Sequence, residues 1–375
     1  MIVHLRKWLA MTMVLAMGIL SACTGTTTDT TEPTPSTTAQ NSEAPSTTQA
    51  DSTSTSQTAQ ADLDELTVPF GSNQTLAQFY GIWWLGVDKG FFEEEGIDVT
   101  FTDGQGSGTM AQLLASGEVP IVVEIGPTGL LSVAAADGEV TAVAGTLPLV
   151  PQAVLSNQEI ATPQDLVGLT INVAPGGNDA LTWNSFLVDN GVDPASLETV
   201  NLDFAAAAPA LAAGLVDGVV SFDFTNLARL REAGIDPVYT LPFRDWGFEV
   251  RPGQLIAVNS QFLEENRDLV QRFVRAAEKT FEYALENPDI VGEEVAEAGM
   301  RHEPEAYNRD VTIEQVAAWH ALHQGYSHPL EEGQSILTMF LEDWVAMKDL
   351  MESGELIPAG VVDVESLFTN EFVEN

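Results

Sequence analysis

Beyond a polar amino-terminal stretch, the chain alternates short apolar runs with amphipathic segments, and glycine and proline mark the joins. Leu66-Thr67-Val68-Pro69-Phe70 predicts a first strand, followed by an aromatic loop at Phe79, Tyr80, Trp83 and Trp84. A helix then leads to Gly90 and to a second strand over Ile97 to Phe101. The glycine-rich turn Asp103-Gly104-Gln105-Gly106-Ser107-Gly108 opens a helix through Met110, Leu113 and Leu114. Ile121-Val122-Val123 reads as a buried strand, and Gly126-Pro127-Thr128-Gly129 precedes another helix. Strand, turn and helix in succession predict α/β layers. The pattern restarts after Pro148: Thr162 to Leu166 caps a short helix, Thr170 to Val173 is a strand, and Val219 to Phe222 is another. The last third is mainly helical. A helix begins at Asn259 or Ser260, carries Phe262, Leu269, Phe273, Ala277, Phe281 and Leu285 at helical spacing, and ends at Asn287-Pro288.

The amino terminus has a different character. Arg6 and Lys7 precede an apolar stretch from Trp8 to Leu20, and Leu20-Ser21-Ala22-Cys23 follows. A charged start, a short apolar core and small residues at a cut describe a secretory signal, too short to span a bilayer stably. The last four residues resemble a bacterial lipobox, which implies a signal over residues 1–22 and lipidation of Cys23, the only cysteine in the chain. No disulfide framework exists. From Thr24 to about Ala61 there is no aromatic residue and no Leu, Ile or Val. Such a segment cannot bury enough apolar surface to fold and reads as a disordered tether over residues 23–62. The remainder is long enough for two lobes.

Charge narrows the partners. Without Arg6 and Lys7 the chain has 12 basic and 55 acidic residues, a net −43. That field repels nucleic acid and anionic headgroups, leaving the lipid anchor as the expected membrane contact. An acidic surface with only Lys89, Lys279 and Lys348 suits a saline habitat, although genomic bias gives the same balance.

Four ordered segments carry a family resemblance. Gly90-Phe91-Phe92-Glu93-Glu94-Glu95-Gly96-Ile97-Asp98-Val99 comes first, then Gly104-Gln105-Gly106-Ser107-Gly108 with Gln112 to Gly117. Pro163-Gln164-Asp165-Leu166-Val167-Gly168 and Ala213-Gly214-Leu215-Val216-Asp217-Gly218 complete the set. Together they resemble the NMT1/THI5-like periplasmic binding proteins over Leu66 to Pro288. Where that family often has an acid after the Ala-Ser-Gly turn, this chain has Val119-Pro120, and an acid appears further on at Glu124. The resemblance implies a two-lobe α/β, periplasmic-binding-protein-like (type II) fold with two chain crossings. Lobe one is expected at 63–150 plus 245–375, and lobe two at 151–244. It further implies capture of a small molecule by cleft closure for the permease of an ABC importer, by a monomer on the outer face of the cytoplasmic membrane.

Ligands of open α/β sheets sit beyond the carboxyl ends of strands. That rule selects Tyr80, Trp83 and Trp84, the turn with Gly106, Ser107 and Gly108, then Glu124 and Thr128, Asn178 and Trp183, and Asp223 and Asn226. The glycine turn offers N–H groups at a helix start, or is a tight structural turn. The tryptophans offer stacking faces or are core. Glu124 and Asp223 lie in apolar surroundings, where a carboxylate needs a donor from ligand or protein. His320, His323 and His328, near Glu331 and Glu332, read as surface groups rather than a metal site. No cofactor is expected.

No hydrolase elbow, phosphate loop or zinc-protease motif occurs in the sequence. The lipobox, tether and family motifs favour a transport receptor over a pyrimidine- or quinone-pathway enzyme on the same fold, which would need intracellular substrates. Arg and Lys are absent from the selected segments except for Arg244 and Arg251 nearby, which favours a heteroaromatic ligand of the thiamine-precursor or riboflavin kind. A sulfonate, taurine or nitrate remains the alternative. Two outcomes test the ends of this reading. Cys23→Ala releases the protein from membranes or leaves it unprocessed; a mature-length, membrane-bound mutant contradicts the lipobox. Melting temperature rises from low to molar sodium chloride as self-repulsion is screened over roughly 10 Å at 0.1 M; a flat or falling curve contradicts salt adaptation.

Overall fold

Three sheets in two lobes organise residues 63–175 and 178–373, the part of the chain that the computed structural model describes. The lipobox at Cys23 and the polar tether lie outside these residues. In the first lobe, β1 (Asp64–Pro69) pairs parallel with β2 (Ile97–Thr102), placing Leu66 opposite Val99. Strand β2 alternates buried and exposed residues, as a strand with one wet face should. A bridge from Phe70 to Val123 links that pair to β3 (Ile121–Ile125), which is buried throughout. Two more strands belong to this lobe: β4 (Val140–Gly145), and a late strand at Leu255–Asn259 that runs antiparallel between β3 and β4.

The sheet of the second lobe is built from β5 (Gln152–Ser156), β6 (Thr170–Val173), β7 (Glu198–Val200), β8 (Gly218–Phe222) and β9 (Tyr239–Pro242). Their order is β7-β6-β8-β5-β9, with β6 parallel to both neighbours and β5 antiparallel to both of its own. The late strand Leu255–Asn259, now β10, returns the chain to the first lobe.

The two crossings between the lobes run side by side. Val150 N–H donates to Val250 O at 2.9 Å, and Thr146 N–H donates to Gln254 O at 2.8 Å. Gly253 permits this approach, because a Cβ there would lie 2.2 Å from the Leu147 carbonyl oxygen. Arg251 adds Nη1 bonds to Pro148 O at 3.2 Å and Tyr326 O at 2.9 Å.

Several expected elements change on folding. The aromatic loop is helical: Gln78–Tyr80 forms a 3-10 turn and Gly81–Asp88 an α-helix, with Phe79, Tyr80, Trp83 and Trp84 all buried. The helix predicted from Asn259 to Leu285 is two helices. Asn259 caps Ser260–Glu265, the backbone breaks at Asn266, and Arg267–Glu286 continues. Phe273, Ala277 and Phe281 face the core as their spacing predicted. Thr162 N–H donates to Asp165 Oδ2 at 2.8 Å, and that capping box starts the short 3-10 helix Pro163–Leu166. No helix among the described residues is long and apolar enough to cross a membrane.

Trp83 organises the first core. Its indole stacks on Phe273 at 6.0 Å and meets Phe281 edge-on at 5.3 Å. Its Nε1–H donates to Glu124 Oε1 at 2.8 Å. Glu124 is therefore turned into the lobe, held in β3 at φ 55° with Oε2 buried and unpartnered. The Thr146 hydroxyl is close enough to lower its pKa yet makes no hydrogen bond to it. Burial dominates and pushes the Glu124 carboxyl from 4.5 to about 7, against the pull of the Trp83 N–H. The folded carboxyl holds its proton at pH values where an unfolded glutamate has lost it, so stability falls as pH rises from 4.5 to about 7. Glu124→Gln removes that loss, on the order of 1–3 kcal/mol. Its melting temperature at pH 8 exceeds wild type by roughly 3–8 °C and differs little at pH 4.5. An equal shift at both pH values contradicts a buried, titrating Glu124.

Candidate functional site

The cleft between the lobes is floored by backbone packed too closely for side chains. A Cβ on Gly71 would fall 2.2 Å from Glu124 O, and one on Gly104 would fall 1.8 Å from Phe70 O. These contacts bring the Ser72 segment and the Gly106-Ser107 turn together beneath Tyr80. Asp179, Ser221, Phe222 and Thr225 face them from the second lobe, enclosing about 50 Å³. An outer chamber of about 360 Å³ shares Ser72, Leu76 and Gly106 and reaches Pro175, Asp203 and Arg229.

The lobes are closed on each other. Arg229 donates to Thr75 O at 2.6 Å, and Arg231 pairs with Glu314 at 2.5 Å. Gln315 Nε2 bridges Leu76 O at 2.9 Å and Thr225 O at 3.0 Å, tying a first-lobe loop to the second lobe. Phe79 meets Phe224 edge-on at 5.4 Å.

The inner chamber offers acceptors and hydroxyls. Asp179, the second residue of the helix Asn178–Asp189, is 3% exposed and accepts Gln152 Nε2 at Oδ1, 2.6 Å away. Burial raises the Asp179 pKa to about 6, and the Gln152 N–H opposes it. Across the chamber, Tyr80 Oη accepts Gln254 Nε2 at 2.8 Å, which leaves the phenol proton to donate. Gln254 Oε1 is buried without a partner. Burial, reinforced by Glu124, holds the Tyr80 pKa well above its usual value, so the phenol stays neutral. No lysine or arginine lines the inner chamber among the described residues.

The structure divides the residues selected from sequence. It brings together Tyr80, Gly106 and Ser107 at the inner chamber, with Ser107 Oγ accepting Gly126 N–H at 2.9 Å. Gly108 continues the Ser107–Ala115 helix, and Thr128 is sealed inside Pro127–Ala134. Neither lines the cleft. The three tryptophans are core or scaffold. Trp83 faces Glu124, Trp84 Nε1 donates to Gln74 Oε1 at 2.7 Å, and Trp183 Nε1 donates to Thr199 Oγ1 at 3.1 Å. Asp223 finds its donor within the chain, Arg244 at 2.5 Å, so the expectation of a ligand amine there is replaced by an internal ion pair. Asn226 lies behind the wall, donating to Ser221 Oγ at 2.9 Å. Asn178 begins its helix.

Sequence reasoning passed over Asp179, Gln152 and Gln254. Asp179 directly follows the selected Asn178, and its side chain is held by Gln152, which arrives from β5. The histidines read as surface groups are also placed differently: His320, His323 and His328 line a second cavity beside the crossings. Among the described residues no cluster of His, Cys, Asp or Glu is arranged to hold a metal ion.

Known proteins share this architecture. The formylaminopyrimidine-binding protein of Halalkalibacterium halodurans is 28% identical over 209 residues, covering 55% of this chain and 62% of that protein. The riboflavin-binding protein RibY of Chloroflexus aurantiacus is 26% identical over 339 residues, covering 84% of this chain and 88% of its own. Among solved structures, the alkanesulfonate-binding protein SsuA from Xanthomonas axonopodis pv. citri bound to MOPS superimposes with a TM-score of 0.61 at 16% identity, over 82% of this chain and 99% of that one. It shares the two-lobed periplasmic-binding-protein fold. The NMT1/THI5-like profile matches residues 78–290, more than half of the sequence, and the chain belongs to that family.

Proposed function

We propose that this protein is the lipid-anchored, extracytoplasmic receptor of an ABC importer, and that it closes on a small nitrogen-rich heteroaromatic ring. The observation that carries the ligand class is Asp179, a buried carboxylate facing a chamber with no cation. A carboxylate closed away from water needs donors, and the amino and ring N–H groups of an aminopyrimidine supply them. Gln254 Oε1 takes a further N–H, and the Tyr80 hydroxyl donates to a ring nitrogen or carbonyl. Phe222 and Tyr80 give the ring apolar walls.

Size supports a single ring in the inner chamber. About 50 Å³ equals the space of a few waters, with substituents extending into the outer chamber. A three-ring flavin requires a wider separation of the lobes. The relatives named for formylaminopyrimidine and riboflavin agree with a heteroaromatic class. Binding the closed state more tightly than the open one shifts the lobes together, which is the signal an importer reads. The anchor rests on Leu20-Ser21-Ala22-Cys23.

One feature favours a sulfonate or nitrate instead. Arg229 reaches the outer chamber, and the alkanesulfonate-binding protein has the same fold. Arg229 is engaged with Thr75 O and sits outside the chamber that Asp179 faces. An anion in the inner chamber would meet carboxylate repulsion.

Calorimetry with formylaminopyrimidine, riboflavin, taurine and nitrate separates these readings. Formylaminopyrimidine binds wild type most tightly, and Asp179→Asn weakens it by roughly ten- to a hundredfold. Binding strengthens as pH rises through about 6, where Asp179 gains its charge, and the Asn variant loses that dependence. Tight taurine or nitrate binding that Asp179→Asn leaves unchanged or improves, and Arg229→Gln abolishes, contradicts the heteroaromatic reading.

A further inference from the structure

A second unexplained feature lies outside the cleft, against the crossings. A cavity of about 310 Å³ has Leu147 and Pro148 of the first crossing and Pro252 of the second on one side. His320 and His323 of the helix Arg309–Tyr326, and Thr338 from the following loop, form the other. It is several times larger than the inner cleft chamber, and its volume falls in the range of ordinary small-molecule pockets.

Most of its walls are apolar, and its polar groups are already sorted. His328 Nε2 hydrogen-bonds Asp343 at 2.9 Å and its ring packs over Phe340 at 4.2 Å, so the one carboxylate lining the cavity among the described residues already has a partner. His320 Nε2 donates to Leu285 O at 3.1 Å. No lysine or arginine lines the cavity among the described residues. Two atoms remain unsatisfied: His323 Nε2 and Thr338 Oγ1 are both sealed from solvent and have no hydrogen-bond partner. The His323 ring as a whole keeps some accessible surface, but that nitrogen does not.

The state of His323 fixes what it can accept. The Thr146 backbone favours the charged ring, and the ring packs on Trp319 at 4.5 Å. Burial pushes the ring down to about 4, against that opposing influence, so it is neutral near pH 7. A neutral imidazole carries one N–H and one bare nitrogen, and the tautomer protonated on Nδ1 presents Nε2 as an acceptor. The threonine hydroxyl both donates and accepts.

The geometry points to a second ligand site behind the hinge, for a neutral molecule with an apolar ring and one hydroxyl or N–H group, of the phenol or indole type. The ring occupies the apolar space, its donor reaches His323 Nε2, and Thr338 Oγ1 completes the bond network. An anion finds no cation there, and a cation finds no free carboxylate. The site is independent of the cleft ligand, since it shares no lining residue with the inner chamber.

The test uses the folded protein with p-cresol and indole as probes, and with toluene and benzoate as controls. Calorimetry is run on wild type, on Thr338→Val, which keeps side-chain shape, and on Ser327→Trp, which fills the cavity from its rim. Thermal melts establish that both variants fold. The expected result is p-cresol or indole binding that is at least tenfold tighter than toluene or benzoate and at least tenfold weaker in either variant. Amide hydrogen exchange then slows in segments 145–150, 250–254 and 323–340, and is unchanged at 104–108. No binding in the millimolar range, binding that neither variant weakens, or protection confined to the cleft segments overturns the proposal.

Discussion

Everything the cleft does depends on two chain crossings held against each other. The Val150–Val250 and Thr146–Gln254 backbone bonds make them one narrow ribbon, and Gly253 allows the contact by leaving Leu147 O uncrowded. Lobe motion is then confined to a bend of that ribbon, as in hinge closure generally. The ribbon also delivers the site. Gln254, at the end of the second crossing, reaches both Tyr80 Oη and Glu124 O, while Gln152, just past the first, reaches Asp179. Ligand groups on both lobes are thus oriented by residues at the pivot, where bending displaces them least.

Three carboxylates in apolar surroundings show three ways of meeting the cost of burial. Asp223 is paired with Arg244. Glu124 takes one indole N–H and holds its proton up to about pH 7. Asp179 has one amide N–H and an open chamber before it, with a pKa raised only to about 6. Of the three, Asp179 is ionised near neutrality and still faces space that a donor can fill. That difference separates the acid proposed to read the ligand from two whose partners lie within the chain.

The fold was legible because its signals are local. The apolar run Ile121-Val122-Val123, the alternation in β2, and the Thr162–Asp165 capping box each follow from neighbouring residues. The site was legible only in part. Gly106, Ser107 and Tyr80 were marked by turn chemistry and strand ends, and they line the chamber. The roles of Glu124 and Asp223 were not, because the direction of each side chain is set by Trp83 and by Arg244, which tertiary packing delivers. Adjacent tryptophans carry no label distinguishing a stacking face from a core anchor. The histidines read as polar surface because nothing in their own helix reveals that Leu147, Pro148 and Pro252 close over them.

The central claim is that a ring donating hydrogen bonds to Asp179 sits between the closed lobes. A crystal structure of the protein with formylaminopyrimidine tests it most directly. The account predicts the ring between Tyr80 and Phe222, with an amino or ring N–H within about 3 Å of an Asp179 oxygen. A ring bound elsewhere, or a ligand held through Arg229 with Asp179 untouched, would contradict it.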